Sequence, residues 1–206
     1  MKPFSEFHAE PRTERSPQLP AGAYVCVIQG VREEGDFPDD SIVLRLEIAE
    51  GDWAGYYARR YKNESEAAAL GHRDYEPRYK GDFRIRVPRA ENPHIKNRDW
   101  AIRNFNNSIW AIEDSNAGYH FDFGNTAALK GKTVGISVRE AEYQGNPFTE
   151  IGRLESARMV REGKISPMKP RGERASAQAS APAGGAPGAA EAPAGWMEDE
   201  PDDLPF

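Results

Sequence analysis

Ile42-Val43-Leu44-Arg45-Leu46-Glu47-Ile48 is the stretch that decides the fold class of this chain. Aliphatic side chains occupy every second position, and Arg45 and Glu47 lie between them. Because successive side chains of a strand point to opposite faces, this period of two predicts a β-strand with one buried face. The earlier run Tyr24-Val25-Cys26-Val27-Ile28 is also rich in strand-forming residues, and the turn-forming residues 35–40 separate the two runs. Together they predict a β-hairpin.

The segment that follows the hairpin is harder to interpret. Gly51-Asp52 predicts a turn into a third strand over 56–62, where tyrosines and basic residues replace the aliphatic side chains. Glycines and prolines interrupt any period over 63–96, so we expect an insertion or long loop there, with a possible short strand at 83–87.

The sequence after residue 96 predicts one helix and two further strands in the body. The helix is expected over 97–114, because Ile102, Phe105, Ile109 and Ile112 lie along one side of it. Strands are expected over 133–142 and 148–160, on either side of a turn. Three strands, a helix and two strands is the order of an OB-fold, a five-stranded Greek-key barrel whose outer surface binds single strands or oligosaccharides. The sequence therefore predicts a mainly β, OB-fold-like domain over 21–165, preceded by an extended arm over 1–20.

The charges of the chain are unevenly distributed. The formal net charge is −6, but residues 175–206 carry six carboxylates and no Lys or Arg, which leaves 27 basic and 27 acidic residues in the body. Within that body, 59–103 holds twelve basic against seven acidic residues, and 125–174 holds ten against six. This segregation favours a fold with one positive face, which is typical of proteins that bind polyanions.

Catalysis finds little support in the sequence. The four histidines lie in irregular segments without metal-ligand spacing, and neither a glycine-rich phosphate loop nor a nucleophile elbow occurs. We therefore expect a protein that is not an enzyme and that uses no metal and no cofactor. The single Cys26 rules out a disulfide within this sequence and is expected to be a small buried hydrophobe. Because no apolar stretch has transmembrane length, we expect a cytoplasmic protein with no membrane partner.

The carboxy-terminal segment divides into two parts. Residues 166–198 form a linker rich in Ala, Pro and Gly, and 199–206 form an acidic tip. Such a composition buries too little apolar surface to offset its ordering entropy, so disorder is expected. One alternative is a purely solubilising extension. The ending Leu204-Pro205-Phe206 indicates a contact site instead, because Pro limits the entropy lost on docking and Phe fits an apolar pocket.

The final residues, Asp202-Asp203-Leu204-Pro205-Phe206, resemble the bacterial single-stranded-DNA-binding protein family, whose members end in an acidic tail that closes with a small apolar residue, Pro and Phe. The resemblance covers about the last nine residues and the linker before them. It implies that the tip recruits replication, recombination and repair proteins while the body coats single-stranded DNA. It also supports the OB-fold, and it raises a homo-oligomer as a possibility because typical members are tetramers.

The body departs from the family in its amino-terminal strand pattern and in the inserted 63–96 segment. This divergence favours a version encoded by a phage or mobile element. A second hypothesis from another class is a non-catalytic phage or mobile-element adaptor. Such an adaptor would recruit host replication proteins through the tail without coating single strands.

A non-specific single-strand site needs cationic groups for the backbone and aromatic faces for the bases. Tyr57-Ala58-Arg59-Arg60-Tyr61-Lys62 supplies both within six residues. In an extended strand, Tyr57, Arg59 and Tyr61 share one face and Arg60 and Lys62 share the other, and we favour the first set. The alternative is that one or two of these tyrosines belong to the core. Further candidates are Trp53, Arg84, Arg86, Arg139, Tyr143, Phe148 and Arg153.

Overall fold

The chain is mainly β, with five antiparallel strands in one open sheet, in a computed structural model that describes residues 17–70, 76–143 and 145–171. The strands are β1 Gly22–Glu34, β2 Ser41–Ile48, β3 Asp82–Arg86, β4 Thr133–Tyr143 and β5 Asn146–Glu155. Their order across the sheet is β3-β2-β1-β4-β5.

The predicted hairpin is confirmed, and its inner face forms the core. Cys26 pairs with Ile48 and Ile28 pairs with Leu46, and all four side chains are almost fully buried. The register shifts between Ile28 and Gly30, so a β-bulge changes the face to which the side chains in the second half of β1 point. The aliphatic alternation of β2 places Ile42, Leu44, Leu46 and Ile48 together in that core.

A few helices accompany the sheet. They are α1 Tyr56–Ala69, α2 Arg98–Ser115 and the short α3 Ala157–Arg161, with a 3₁₀ segment at Phe123–Leu129. The long helix predicted between the third and fourth strands is confirmed as α2, which packs against β3, β4, β5 and α3. Its cap is Asn97, whose side chain accepts a hydrogen bond of 3.0 Å from the Trp100 N–H.

The predicted strand over 56–62 is wrong, because this segment is the first half of α1. The strand interpretation overlooked side-chain pairs at helical spacing, namely Arg60 with Glu64 at 2.9 Å and Lys62 with Glu66 at 3.9 Å. The run Ala67-Ala68-Ala69 also favours a helix. The third strand is instead β3, inside the segment that the sequence analysis treated as an insertion with a possible short strand. The prediction of a single helix is therefore also wrong.

Described residues on either side of 21–165 also contact the body of the protein. Leu19, in the predicted arm, is 2% exposed, and its carbonyl accepts a hydrogen bond of 2.8 Å from the Thr149 hydroxyl. Arg171, in the predicted linker, donates its N–H to the Glu140 carbonyl at 2.8 Å, beside β4. The remainder of the arm, the rest of the linker and the acidic tip fall outside the described residues. Within the described ranges, the helices are too short or too polar to cross a membrane.

Candidate nucleic-acid interface

The sheet presents a row of charged side chains on the face of β1, β2 and β3 that is opposite to the core. The register places Arg32 and Arg84 on either side of Val43, and Asp82 beside Arg45. Side chains two positions apart on a strand share a face, so these residues point the same way. We call the set Arg32, Glu34, Arg45, Asp82 and Arg84 the outer-face cluster.

Ion pairs link all five members of the outer-face cluster. Asp82 accepts from Arg32 at 2.9 Å and from Arg45 at 3.2 Å. Glu34 accepts from Arg32 at 2.5 Å and also pairs with Arg84. Three guanidinium groups thus share two carboxylates, which leaves an excess of one positive charge. The three arginine side chains are 45 to 50% exposed, so a phosphate can approach them.

The Glu34 carboxylate stays ionised at neutral pH. The hydrogen bond from Arg32, aided by the charge of Arg84, holds the pKa of Glu34 below its usual range. A negative charge is therefore held between the arginines, where it competes with any anion that binds them.

Aromatic rings continue the outer-face cluster toward α1. The Arg45 guanidinium lies 4.8 Å from the centroid of the Tyr79 ring, and the Tyr61 ring packs edge-on against Tyr79 at 5.9 Å. Tyr61 is 41% exposed, so it remains accessible to a planar partner. Burial, together with the hydrogen bond to Glu47, raises the pKa of Tyr79 well above its ordinary value, and this phenol stays neutral. Cation and rings side by side are the combination that single-strand binding requires.

Glu47 fixes the position of α1 and hence of Tyr61. Its side chain is buried beneath the start of the helix, where it accepts from the N–H groups of Tyr57 at 3.0 Å and Ala58 at 2.7 Å. The Tyr79 hydroxyl lies 2.8 Å from the same carboxylate. A carboxylate at a helix N-terminus satisfies unpaired N–H groups and complements the helix dipole. One residue of β2 therefore joins the sheet, the helix and the ring of Tyr79.

The structure redistributes the candidates on α1. Because the segment is helical, Tyr57 and Tyr61 are one turn apart and Arg59 points elsewhere, so the predicted single face is wrong. Tyr57 is 5% exposed and packs against Tyr79 at 6.2 Å, which buries it as the alternative interpretation allowed.

The other candidates around α1 are tied to protein groups. Arg59 donates to the Ala54 carbonyl at 2.5 Å, and Arg60 bridges Glu64 and the Tyr56 hydroxyl. Lys62 is exposed and faces Glu66, and Trp53 is half-buried against Tyr56. Their proposed contact with DNA remains a prediction.

The remaining candidates fall into two groups. Arg84 belongs to the outer-face cluster, and Arg86 follows it on the same face, 3.8 Å from Asp39. The second group lies on β4 and β5, separated from β2 and β3 by β1. In that group, Arg139 pairs with Glu150 at 2.8 Å and Arg153 pairs with Glu155, while Tyr143 and Phe148 are exposed.

Among the cationic and aromatic side chains of the site, sequence reasoning missed Arg32, Arg45 and Tyr79. Arg45 carried a usable signal, because it occupies an outward position of a strand whose inner face was identified. Arg32 lies beyond the bulge of β1, which shifts its face and which no sequence pattern marked. Tyr79 lies in the segment that was interpreted as an insertion.

Other kinds of site find no support in the part of the chain that the structure describes. No group of three or more His, Cys, Asp or Glu side chains is placed there to hold a metal ion. Cys26 is fully buried as predicted, and burial raises the pKa of its thiol well above the ordinary value. Comparison with known proteins adds no assignment, since no family model matches the chain and no curated protein is significantly similar to it.

We predict that Glu34→Gln increases affinity for single-stranded DNA. The substitution removes the charge that competes for Arg32 and Arg84, and one additional phosphate contact corresponds to about a 5-fold gain at about 0.1 M salt. The measurement is fluorescence anisotropy with labelled oligo-dT. The matched control is Glu162→Gln, at the end of α3. The Glu162 carboxylate pairs with Lys164 and is not part of the outer-face cluster, so this substitution should leave affinity unchanged. Unchanged or weaker binding by Glu34→Gln would contradict the competition.

Proposed function

We propose that the chain is a single-stranded-DNA-binding protein of replication, recombination or repair. Its body would coat unpaired strands across the outer face of β1, β2 and β3. The observation that carries the proposal is the outer-face cluster, where three exposed arginines lie together and one of them, Arg45, contacts the ring of Tyr79, which packs against Tyr61. Cations would bind the phosphates and the exposed ring of Tyr61 would stack with a base.

The strand order supports an OB-type barrel. That fold is a five-stranded, partly open Greek-key barrel, in which strands that are distant in sequence pair. The pairing of β1 with both β2 and β4, and the place of α2 between β3 and β4, are consistent with it. OB-folds bind oligonucleotides on the face of β2 and β3, and those two strands supply Arg45, Asp82 and Arg84 of the outer-face cluster.

The acidic segment supplies the second half of the proposal. Asp202, Asp203, Leu204, Pro205 and Phe206 would bind replication, recombination or repair proteins, with the acids steering toward a basic surface and Phe206 entering an apolar pocket. A protein of this kind acts in the cytoplasm of a bacterium or of an infected host. Its divergent body is consistent with a phage or mobile-element origin, and homo-oligomerisation remains compatible with this proposal.

The test of coating is a salt titration of the full chain with labelled oligo-dT and with duplex of the same length. We expect preference for the single strand, and we expect log affinity to fall with log salt at about −0.7 for each phosphate neutralised. A chain that binds both forms equally, or neither, would contradict coating. The second outcome would favour the adaptor hypothesis, in which only the acidic segment binds a partner.

A further inference from the structure

The loop between β1 and β2, residues 35–40, holds an aromatic ring in solvent. Phe37 is 65% exposed, although the loop around it is tightly built. Gly35 adopts a φ of +83°, and a Cβ there would lie 2.3 Å from the Asp39 carbonyl oxygen, so the turn requires glycine. The Asp39 N–H donates to the Asp36 carbonyl at 2.7 Å and closes the turn.

Three sets of hydrogen bonds connect this loop to residues 87–92, which follow β3. The Asp40 carboxylate accepts hydrogen bonds from Nη2 of Arg89 at 2.7 Å and from Nε of Arg89 at 3.0 Å, so the two side chains form a bidentate pair. The side chain of Asn92, itself buried, donates to Asp39 at 2.9 Å. The Val87 N–H donates to the Asp40 carbonyl at 3.0 Å. The exposed ring is therefore carried by a loop with little conformational freedom.

The side chain of Arg89 contacts the ring of Phe37. The Arg89 guanidinium lies 5.6 Å from the ring centroid, and its pairing with Asp40 holds it in place. The guanidinium of Arg89 therefore contacts the ring while its hydrogen bonds go to the Asp40 carboxylate. An isolated exposed apolar residue is common on protein surfaces, and exposure alone identifies no ligand. The decisive observation is where the loop that carries this ring lies relative to the outer-face cluster.

The loop that carries Phe37 lies at the end of the outer face. Glu34, Ser41 and Arg86 form the last row of paired residues across β1, β2 and β3, and residues 35–40 follow directly from that row. Arg86 is 3.8 Å from Asp39 within the loop, and Arg84 donates to the Ser41 hydroxyl at 2.7 Å. A strand bound to the arginines of this face would reach the loop next.

We propose that Phe37 is a stacking platform for one unpaired base of a strand that crosses the outer-face cluster. The inference rests on the proposed function and extends it by assigning a base contact at the β1–β2 loop. The supported ring needs no reorganisation to receive a planar partner, which reduces the entropy lost on binding. Since every base has a π-face, this contact would be tolerant of sequence and specific for unpaired strands.

The test compares the full-length parent chain with Phe37→Ala and Phe37→Trp, using labelled oligo-dT. We expect Phe37→Ala to lose about 5-fold to 100-fold in affinity, the range for one stacked base, with an unchanged salt slope because no charge is removed. Phe37→Trp should retain the affinity of the parent and should show additional quenching of tryptophan emission on binding. Trp110→Ala, which removes an exposed ring from α2, is the matched control and should bind like the parent.

The outcomes separate the two proposals. If the parent prefers single strands and Phe37→Ala binds them equally well, the stacking platform is wrong while the proposed function stands. If Trp110→Ala loses as much affinity as Phe37→Ala, the effect is not specific to the loop and the platform is again wrong. If the parent does not bind single strands, both proposals fail. Duplex binding should not respond to Phe37→Ala, and an equal loss there would contradict base stacking.

Discussion

Replacing Arg45 and Arg84 with alanine is expected to weaken the binding of single-stranded DNA by about 25-fold at about 0.1 M salt. Each arginine is half exposed in the outer-face cluster, and each would release about 0.7 of a counterion on contacting a phosphate. The slope of log affinity against log salt should therefore become shallower by about 1.4. The measurement is a salt titration by fluorescence anisotropy with labelled oligo-dT.

The double variant Arg158→Ala, Arg161→Ala provides a matched control. These arginines are 57% and 50% exposed; Arg158 pairs with Asp114 and Glu162, and Arg161 pairs with Glu50. The control therefore removes the same net charge from a different surface. Equal losses in the two double variants would show that binding follows overall charge and that the outer-face cluster is not the site. Thermal melting of both variants should differ little from the parent, because exposed ion pairs contribute little to stability.

Replacing Glu47 with alanine is expected to lower the free energy of unfolding by about 3 to 5 kcal/mol. The carboxylate accepts hydrogen bonds from the N–H groups of Ile48, Tyr57 and Ala58, and it is buried. Its removal leaves these donors without their acceptor in a poorly solvated position, at about 1 to 3 kcal/mol for each group that finds no other partner. Because a small domain has only about 5 to 15 kcal/mol of stability, the denaturation midpoint in urea should fall markedly.

The control on the same helix is Glu66→Ala. This residue is 63% exposed and lies 3.9 Å from Lys62, so its loss should change stability by no more than about 0.5 kcal/mol. The Glu47 variant should also bind single strands more weakly under conditions where it remains folded, since α1 and Tyr61 lose their anchor. A change below about 1 kcal/mol for Glu47→Ala would contradict its assigned role.

The local sequence pattern was sufficient to predict those strands and helices that have one apolar and one polar face. The alternation in β2 and the apolar side of α2 repeat over several residues, so burial of one face selects a single conformation for each. The segment 56–62 was assigned wrongly because, over so short a run, its tyrosines and basic residues fit both the two-residue period of a strand and the 3.6-residue period of a helix. The anchor that favours a helix there is Glu47, a residue of another element, and no local pattern contains that contact.

The sequence by itself determined the hairpin of β1 and β2, the helix α2, the final pair of strands, the buried Cys26 and the segregation of charge along the chain. These properties depend on neighbours a few residues apart. The tertiary structure alone decided that Arg32 shares Asp82 with Arg45 and shares Glu34 with Arg84 on one face, because those contacts join residues as many as 50 positions apart. Strand register and the bulge in β1 select which side chains meet, and both are set by packing of the whole sheet.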